Sequence, residues 1–216
     1  MNMKYKFIAI EGNIGVGKTT LATMLAENLN ARLILETFEE NPFLPKFYKN
    51  PKKNAFALEL FFMAERYHQL KKQKEQDLFQ PLTISDYFFI KSKLFAYNNL
   101  QKDEIQLFNN LFEIMLSSLA KPNLLIYLHT DINTLKNNIQ KRGREYEQKI
   151  TNEYLINIQE IYFDYLKKQS DFPALIIDIR NKDFKNDKQI FKKIKKIIFK
   201  KYEKGIHYLD LINPVA

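Results

Sequence analysis

Near its N-terminus the chain contains a run of residues suited to holding phosphate groups. Residues 12–20 read GNIGVGKTT and match the pattern G-x-x-x-x-G-K-[ST]. Glycines allow backbone N–H groups to turn inward around phosphates, and a helix that begins at the loop adds its positive end. The residues predicted to bind ATP are Gly12, Asn13, Ile14, Gly15, Val16, Gly17, Lys18, Thr19 and Thr20. Within this set, Lys18 is expected to reach the β- and γ-phosphates and Thr19 to offer its hydroxyl to Mg²⁺.

The elements on either side of the loop fit this interpretation. Residues 7–11 form a short apolar run typical of a buried strand, and residues 19–29 follow in helical period. A strand, a glycine-rich loop and a helix in this order are the setting that phosphate binding requires. The alternative is a glycine-rich turn that binds nothing.

The rest of the chain alternates between short apolar runs and helical patterns. Further strands are predicted at residues 32–36, 82–86, 124–129 and 174–179, and further helices at 55–76, 102–119, 132–141, 152–168 and 188–202. Buried strands that alternate with helices indicate a parallel sheet covered on both faces. We therefore expect an α/β fold of the P-loop NTPase type, with three layers (α/β/α) and five parallel strands. We expect residues 1–216 to form a single domain.

The composition narrows the class of protein. The chain has 216 residues, 45% of them hydrophobic and 27% charged, and no cysteine, so disulfides and thiolate metal sites are excluded. No leader and no apolar run of membrane-spanning length is evident, which predicts a cytoplasmic protein without a membrane partner. The net charge of +9 would suit a nucleic-acid ligand, but no nucleic-acid motif accompanies it, and we expect none to bind.

From the loop onward the sequence resembles the deoxynucleoside kinase family. Four markers occur in the family's order: the GNIGVGKTT loop, a strand ending in Glu36, the NPFLPKFY segment ending in Tyr48, and the segment KRGREYE at residues 141–147. The last marker resembles the family's arginine-rich lid, which we place at residues 141–150. A P-loop alone would fit nucleotide kinases, ATPases and GTPases equally.

The resemblance implies a role for each marker residue. Glu36 is expected to accept the proton of the sugar 5′-hydroxyl, while Tyr48 and Glu147 bind the 3′-hydroxyl. Arg142 and Arg144 are expected to stabilise the transferring phosphoryl group, as paired guanidinium groups can. From position alone, Glu36 could equally be a solvated loop carboxylate and the two arginines a basic helix end.

The segment after the third strand departs from the family pattern. Many eukaryotic members have an acidic residue, arginine and serine here, whereas this chain has Ser85, Asp86 and Tyr87. Asp86 can still act near Mg²⁺, because a carboxylate at a strand end commonly does so in P-loop enzymes. Lys91 is expected to replace the missing positive charge near the phosphates or Glu36. This form resembles a bacterial branch of the family.

A second departure concerns the base. The position of the family's base-pairing glutamine is occupied by Glu59, which only accepts hydrogen bonds when ionised. Glu59 could accept from the adenine amino group, or from N1–H and the amino group of guanine. The alternative is a surface glutamate leaning towards Arg66. Phe95 is the residue that the resemblance places against the base.

We therefore predict an ATP- and Mg²⁺-dependent kinase that phosphorylates the 5′-hydroxyl of a deoxynucleoside, with a slight preference for deoxyadenosine or deoxyguanosine. The resemblance also implies a homodimer formed through long helices. One alternative is a nucleoside monophosphate kinase of the thymidylate type, although it should carry an Asp-Arg pair near Asp86. The other is a nucleotide-dependent regulator that binds nucleic acid.

Overall fold

The computed structural model describes residues 5–38, 41–75 and 82–211. Within them, one parallel sheet has the strand order β2-β3-β1-β4-β5-β6. The strands are β1 (Phe7–Gly12), β2 (Arg32–Ile34), β3 (Thr83–Ser85), β4 (Leu124–His129), β5 (Pro173–Asp178) and β6 (Gly205–Asp210). The predicted parallel α/β architecture is thus confirmed.

Helices connect the strands and cover both faces of the sheet. They are α1 (Lys18–Leu29), α2 (Leu44–Lys49), α3 (Pro51–Glu75), α4 (Ile90–Asn99), α5 (Lys102–Ser117), α6 (Ile132–Arg142), α7 (Asn152–Lys168) and α8 (Lys188–Ile198). A short 3₁₀ helix, Glu145–Lys149, lies between α6 and α7. None of the described helices is both long and apolar enough to cross a membrane.

The core has two halves because side chains of a strand alternate between the faces of the sheet. Phe7 and Ala9 of β1 pack on one side with residues of α3, α4, α5 and α7. Ile8 and Ile10 pack on the other side with residues of α1, α6 and α8. Every residue of β1 is buried, which fixes the strand that leads directly into the glycine-rich loop.

The sheet has six strands, so the prediction of five was wrong. β6 was missed because it is an edge strand whose residues are half-buried or exposed, without a continuous apolar run. It pairs with β5 from Gly205 to Asp210. The predicted helix 188–202 ends at Ile198, and this leaves the chain free to turn into β6.

Two helices were also absent from the predictions. α2 has only six residues, and α4 carries both polar and apolar residues on its buried face, so neither shows a clean apolar period. The helix predicted at 55–76 already begins at Pro51, a residue favoured in a first helical turn. Its predicted last residue, Gln76, lies outside the described residues.

Candidate active site

One cavity of about 950 Å³ opens at the carboxyl ends of the strands. Parallel α/β sheets commonly bind their ligands at this edge. The predicted site residues that line it are Ile14, Gly15, Val16, Gly17, Lys18, Thr19, Thr20, Glu36, Tyr48, Glu59, Asp86, Lys91, Phe95, Arg142, Arg144 and Glu147. Residues from six separate segments of the sequence therefore meet in one space.

Two predicted site residues, Gly12 and Asn13, do not line this cavity. Asn13 is buried, and its amide nitrogen donates to the Leu155 carbonyl at 2.7 Å. Its side-chain oxygen accepts from the backbone N–H of Ile14 at 2.8 Å. The Asn13 side chain thus anchors the loop to α7 and does not face the cavity.

The loop conformation depends on glycine at Gly15. This residue has φ of 82°, in the left-handed region that disfavours other residues. A Cβ atom there would also lie 2.9 Å from the Leu135 carbonyl oxygen. Asn138 of α6 donates to the Gly15 carbonyl at 2.8 Å, so α6 and the loop are held together.

Lys18 is the first residue of α1, directly after the loop. Its Nζ donates to the carbonyls of Gly12 and Asn13, each at 2.9 Å, so the ammonium group is held inside the loop curve. Burial and the nearby Lys91 lower the pKa of Lys18 to about 8. The opposing carboxylates of Glu11, Glu36 and Asp86 raise it in part.

Asp86 connects the loop to the second strand. Its Oδ2 accepts from the Thr19 hydroxyl at 2.5 Å, and its Oδ1 accepts from the backbone N–H of Glu36 at 2.8 Å. One carboxylate thereby fixes both the first turn of α1 and the backbone of Glu36, two residues after β2.

The pairing of Thr19 with Asp86 fits the donor set of a Mg²⁺ site. Mg²⁺ takes oxygen ligands and is usually held by one or two carboxylates together with substrate phosphates and water. Among the described residues no cluster of three or more His, Cys, Asp or Glu could hold a metal without such phosphates. The Thr19 hydroxyl and the Asp86 carboxylate lie beside the phosphate loop, so they could hold a Mg²⁺ ion whose other ligands are nucleotide phosphates and water.

Glu36 is held by two basic residues. Its Oε1 lies 2.6 Å from Nη2 of Arg66, and its Oε2 lies 2.5 Å from Nζ of Lys91. Burial alone would raise the pKa of Glu36, but the two positive charges and their hydrogen bonds hold it well below its usual value. Glu36 is therefore a fixed carboxylate, and the alternative of a solvated loop residue is excluded.

The segment predicted as a lid begins where α6 ends. Gly143 caps α6 with a left-handed φ of 73°, and the 3₁₀ helix follows. Arg142 and Arg144 both form ion pairs with Glu147, which is buried. The Arg144 guanidinium also stacks on the Phe38 ring, 3.7 Å from its centroid. Both arginine side chains line the cavity.

Tyr48 reaches the same segment from α2. Its ring stacks on the Tyr146 ring, with centroids 5.7 Å apart. Burial raises the pKa of the Tyr48 hydroxyl well above its usual value, so the group stays protonated and able to donate. Tyr146, for which the sequence suggested no role, thus packs the 3₁₀ helix against α2.

Glu59 of α3 lines the cavity together with Phe95 of α4. Glu59 is only 1% exposed, and its Oε1 accepts from the Asn99 amide at 2.7 Å. Arg66 does not pair with Glu59 but with Glu36 and the Ser92 hydroxyl. The alternative of a surface glutamate leaning on Arg66 is therefore wrong.

Part of the cavity wall was not identified from the sequence. Arg66, Asn99 and Tyr154 all line the cavity, together with Phe38. A signal existed for Arg66, since it lies two helical turns after Glu59 on the same face of α3. The loop after β5 contributes Asn181 to Asn186 to the cavity wall, with Phe184 against Gly17.

Comparison with known proteins adds to this geometry. A family model described as deoxynucleoside kinase matches residues 8–202. The chain is 39% identical over 194 residues to a deoxyguanosine kinase of Bacillus subtilis strain 168, which covers 87% of this chain and 93% of that protein. A deoxyadenosine/deoxycytidine kinase of the same strain is 31% identical over 196 residues, or 88% of this chain and 90% of that protein. A solved deoxyadenosine kinase from M. mycoides with bound dATP gives a TM-score of 0.76 at 27% identity, covering 88% of this chain and 98% of that one.

Proposed function

Because the chain belongs to the deoxynucleoside kinase family, we propose that it transfers the γ-phosphoryl group of ATP to the 5′-hydroxyl of a purine deoxynucleoside. The family makes it a phosphotransferase with an alcohol group as acceptor. One observation carries the proposal for this chain's own residues. A single cavity joins the phosphate loop around Lys18 to the fixed carboxylate of Glu36.

In the proposed reaction the 5′-oxygen forms a bond to the γ-phosphorus as the bond from that phosphorus to the β–γ bridging oxygen breaks. The proton of the 5′-hydroxyl passes to Glu36, and the broken bond's electrons leave with ADP. A positioned carboxylate contributes roughly 10²–10⁴-fold in such a step. Since Arg66 and Lys91 hold Glu36 ionised, its first task is to accept a hydrogen bond and orient the hydroxyl.

Positive charges surround the place where the phosphoryl group passes. Lys18 holds the β- and γ-phosphates, and Arg142 and Arg144 neutralise charge that develops during transfer. Thr19 and Asp86 would hold Mg²⁺, which neutralises charge on the β- and γ-phosphate oxygens when bound. Binding of substrate requires Arg142 and Arg144 to exchange their ion pairs with Glu147 for phosphate oxygens.

The sugar is expected to bind between α2 and the lid segment. Tyr48 and Glu147 lie on one side of the cavity and are offered to the 3′-hydroxyl, one as donor and one as acceptor. A ribose would add a 2′-hydroxyl to this crowded wall. The base then extends towards Glu59 of α3 and Phe95 of α4, which both line the cavity.

The preference for a purine rests on two observations. The relatives with the printed names deoxyguanosine kinase and deoxyadenosine/deoxycytidine kinase include both purines. In addition, Glu59 presents a carboxylate to the base, and guanine alone among the four bases has two adjacent donors, N1–H and the 2-amino group, to meet its two oxygens.

We also propose that the protein is a homodimer. Three large apolar side chains lie exposed on α5 at helical spacing, namely Leu107, Leu111 and Ile114, and Ile114 is 71% exposed. Residues three and four apart lie on one face of a helix, so these form a continuous apolar stripe. A second copy packed on α5 would cover it.

We propose further that residues 1–216 act as one domain and that the protein works in the cytoplasm.

The proposed function is tested by incubating the protein with ATP and Mg²⁺ and each of the four deoxynucleosides, with thymidine monophosphate alongside. The expected products are deoxynucleoside 5′-monophosphates, formed fastest from deoxyguanosine or deoxyadenosine. Product from thymidine monophosphate alone would replace the proposal by a monophosphate kinase. Salt-sensitive binding of DNA or RNA without transfer would favour a regulatory protein.

A further inference from the structure

The buried carboxylate of Glu59 has a hydrogen-bond partner at only one of its two oxygens. Oε1 accepts from Asn99, while Oε2 has no hydrogen-bond partner within residues 5–38, 41–75 and 82–211. A buried oxygen without a partner costs free energy, so such groups usually meet a ligand. Because Glu59 and Phe95 both line the cavity, the base of a bound substrate can supply the missing partner.

Asn99 fixes the orientation of this carboxylate. The Asn99 side-chain oxygen accepts from the Asn98 amide at 2.9 Å, and this leaves the Asn99 nitrogen turned towards Glu59. Each oxygen of an ionised carboxylate has two acceptor positions, and the Asn99 amide occupies one of these four. Asn99 is thus a positioning residue, which acts on the base through Glu59.

The edges of the bases differ in how they meet a carboxylate. Guanine presents N1–H and the 2-amino group side by side, two adjacent donors that match the two oxygens of an ionised Glu59. Adenine presents an amino group beside N1, a bare acceptor that the ionised carboxylate would repel. A protonated Glu59 offers one donor and one acceptor, as glutamine does, and this pattern matches adenine.

We propose that Glu59, oriented by Asn99, selects guanine when its carboxylate is ionised and accepts adenine when it is protonated. The protein is then a deoxyguanosine kinase with a pH-dependent tolerance for deoxyadenosine. This inference rests on the proposed function.

The electrostatic surroundings of Glu59 bring the pKa of its carboxyl group close to neutral pH. Burial raises its pKa to about 7, partly opposed by the Arg66 charge and the Asn99 hydrogen bond. Both protonation states are therefore populated near neutral pH. The titratable, charged and hydrogen-bonding groups that face Glu59 are Arg66 from α3, Lys91 and Asn99 from α4, Glu36 after β2 and Tyr154 from α7.

The test is the ratio of kcat/KM for deoxyguanosine to that for deoxyadenosine, measured from about pH 6 to about pH 8, on either side of this pKa. A ratio cancels changes in ATP binding and phosphoryl transfer that both substrates share. The ratio of ionised to protonated Glu59 changes about tenfold per pH unit, so we expect the selectivity for guanine to rise at least about tenfold across the range.

Two variants assign the effect to these residues. Glu59→Gln should favour deoxyadenosine at every pH, because its amide keeps one donor and one acceptor. Asn99→Leu should move the change in selectivity to higher pH, because it removes a donor that lowers the pKa of Glu59. Asn157→Leu, an exposed change on α7, should leave the profile unchanged.

The possible results separate the inference from the function beneath it. An active enzyme whose selectivity ratio is flat from about pH 6 to about pH 8 would overturn the inference, as would guanine preference retained in Glu59→Gln. Both results would leave the proposed function intact. Phosphorylation of no deoxynucleoside at any pH would overturn the proposed function and the inference together.

Discussion

Lys91 Nζ lies 2.5 Å from Oε2 of Glu36, in a contact that joins the start of α4 to the end of β2. The lysine is buried, and the Glu36 side chain is only 17% exposed, so solvent screens this pair little. A carboxylate held in this way stays ionised far into the acidic range. Lys91 therefore places a buried positive charge directly beside Glu36.

We expect Lys91→Met to move the acidic limb of the activity profile. Lys91 is the largest of the favourable influences on the Glu36 carboxylate, so its removal raises the pKa of Glu36. Since the depressed pKa keeps Glu36 ionised down to low pH, the variant should lose activity at a higher pH than the parent. The measurement is kcat/KM for deoxyguanosine against pH.

The matched control is Lys93→Met, which removes a half-buried lysine of the same helix that pairs with Glu113 and not with the site. Its acidic limb should coincide with that of the parent. An unshifted limb in Lys91→Met would mean that the contact with Glu36 does not govern the titration.

Asp86→Asn should raise the Mg²⁺ concentration that the reaction requires, and it should affect the binding of nucleoside less. The amide keeps the shape of the side chain but removes the charge beside Thr19. Loss of one such group typically costs about 10- to 100-fold in metal affinity or activity. The measurement is initial rate against free Mg²⁺ at saturating deoxynucleoside, with Asp164→Asn, an exposed change on α7, as control. Equal Mg²⁺ requirements in both variants would remove Asp86 from the metal site.

Arg142→Ala should lower kcat by about 10²- to 10³-fold, the range measured when one charge-stabilising donor is removed. The variant also frees Glu147 of one ion pair, so the KM for the nucleoside should change much less than kcat. Steady-state kinetics with varied deoxynucleoside separates the two. The control is Lys149→Ala, at an exposed residue that ends the 3₁₀ helix following α6. A change confined to KM would assign Arg142 to sugar binding.

Ile114→Glu should convert a dimer into a monomer. The new charge would lie at one end of the apolar stripe that Leu107 and Leu111 continue, where a second copy would bury it without a partner. The mass in solution is measured by sedimentation equilibrium, with Gln106→Glu on the exposed surface of α5 as control. If the parent protein is already a monomer in solution, the stripe is not a dimer interface.

The sequence predicted the parts of the molecule that depend on local pattern. The loop at residues 12–20 and the buried strand before it obey a strict spacing, since only certain residues permit that turn. α7 was predicted with its observed bounds because Thr151 caps its start and its apolar residues recur in helical period. Residues around Tyr48 and Glu147 were found only through family resemblance.

What the sequence could not provide is pairing between distant segments. Arg66 was considered as a neighbour of Glu59, yet it contacts Glu36 across the cavity. Asn99 was missed because a single polar residue at the end of a helix carries no pattern of its own. β6 was missed for a similar reason, since an edge strand need not be apolar on both faces.

The most direct test of the central claim compares phosphoryl transfer from ATP to deoxyguanosine by the parent protein and by Glu36→Gln. We expect the parent to form deoxyguanosine 5′-monophosphate and the variant to do so roughly 10²–10⁴-fold more slowly. Glu27→Gln, exposed on α1, should match the parent. No product from the parent, or equal rates in the parent and Glu36→Gln, would contradict the proposed function and mechanism.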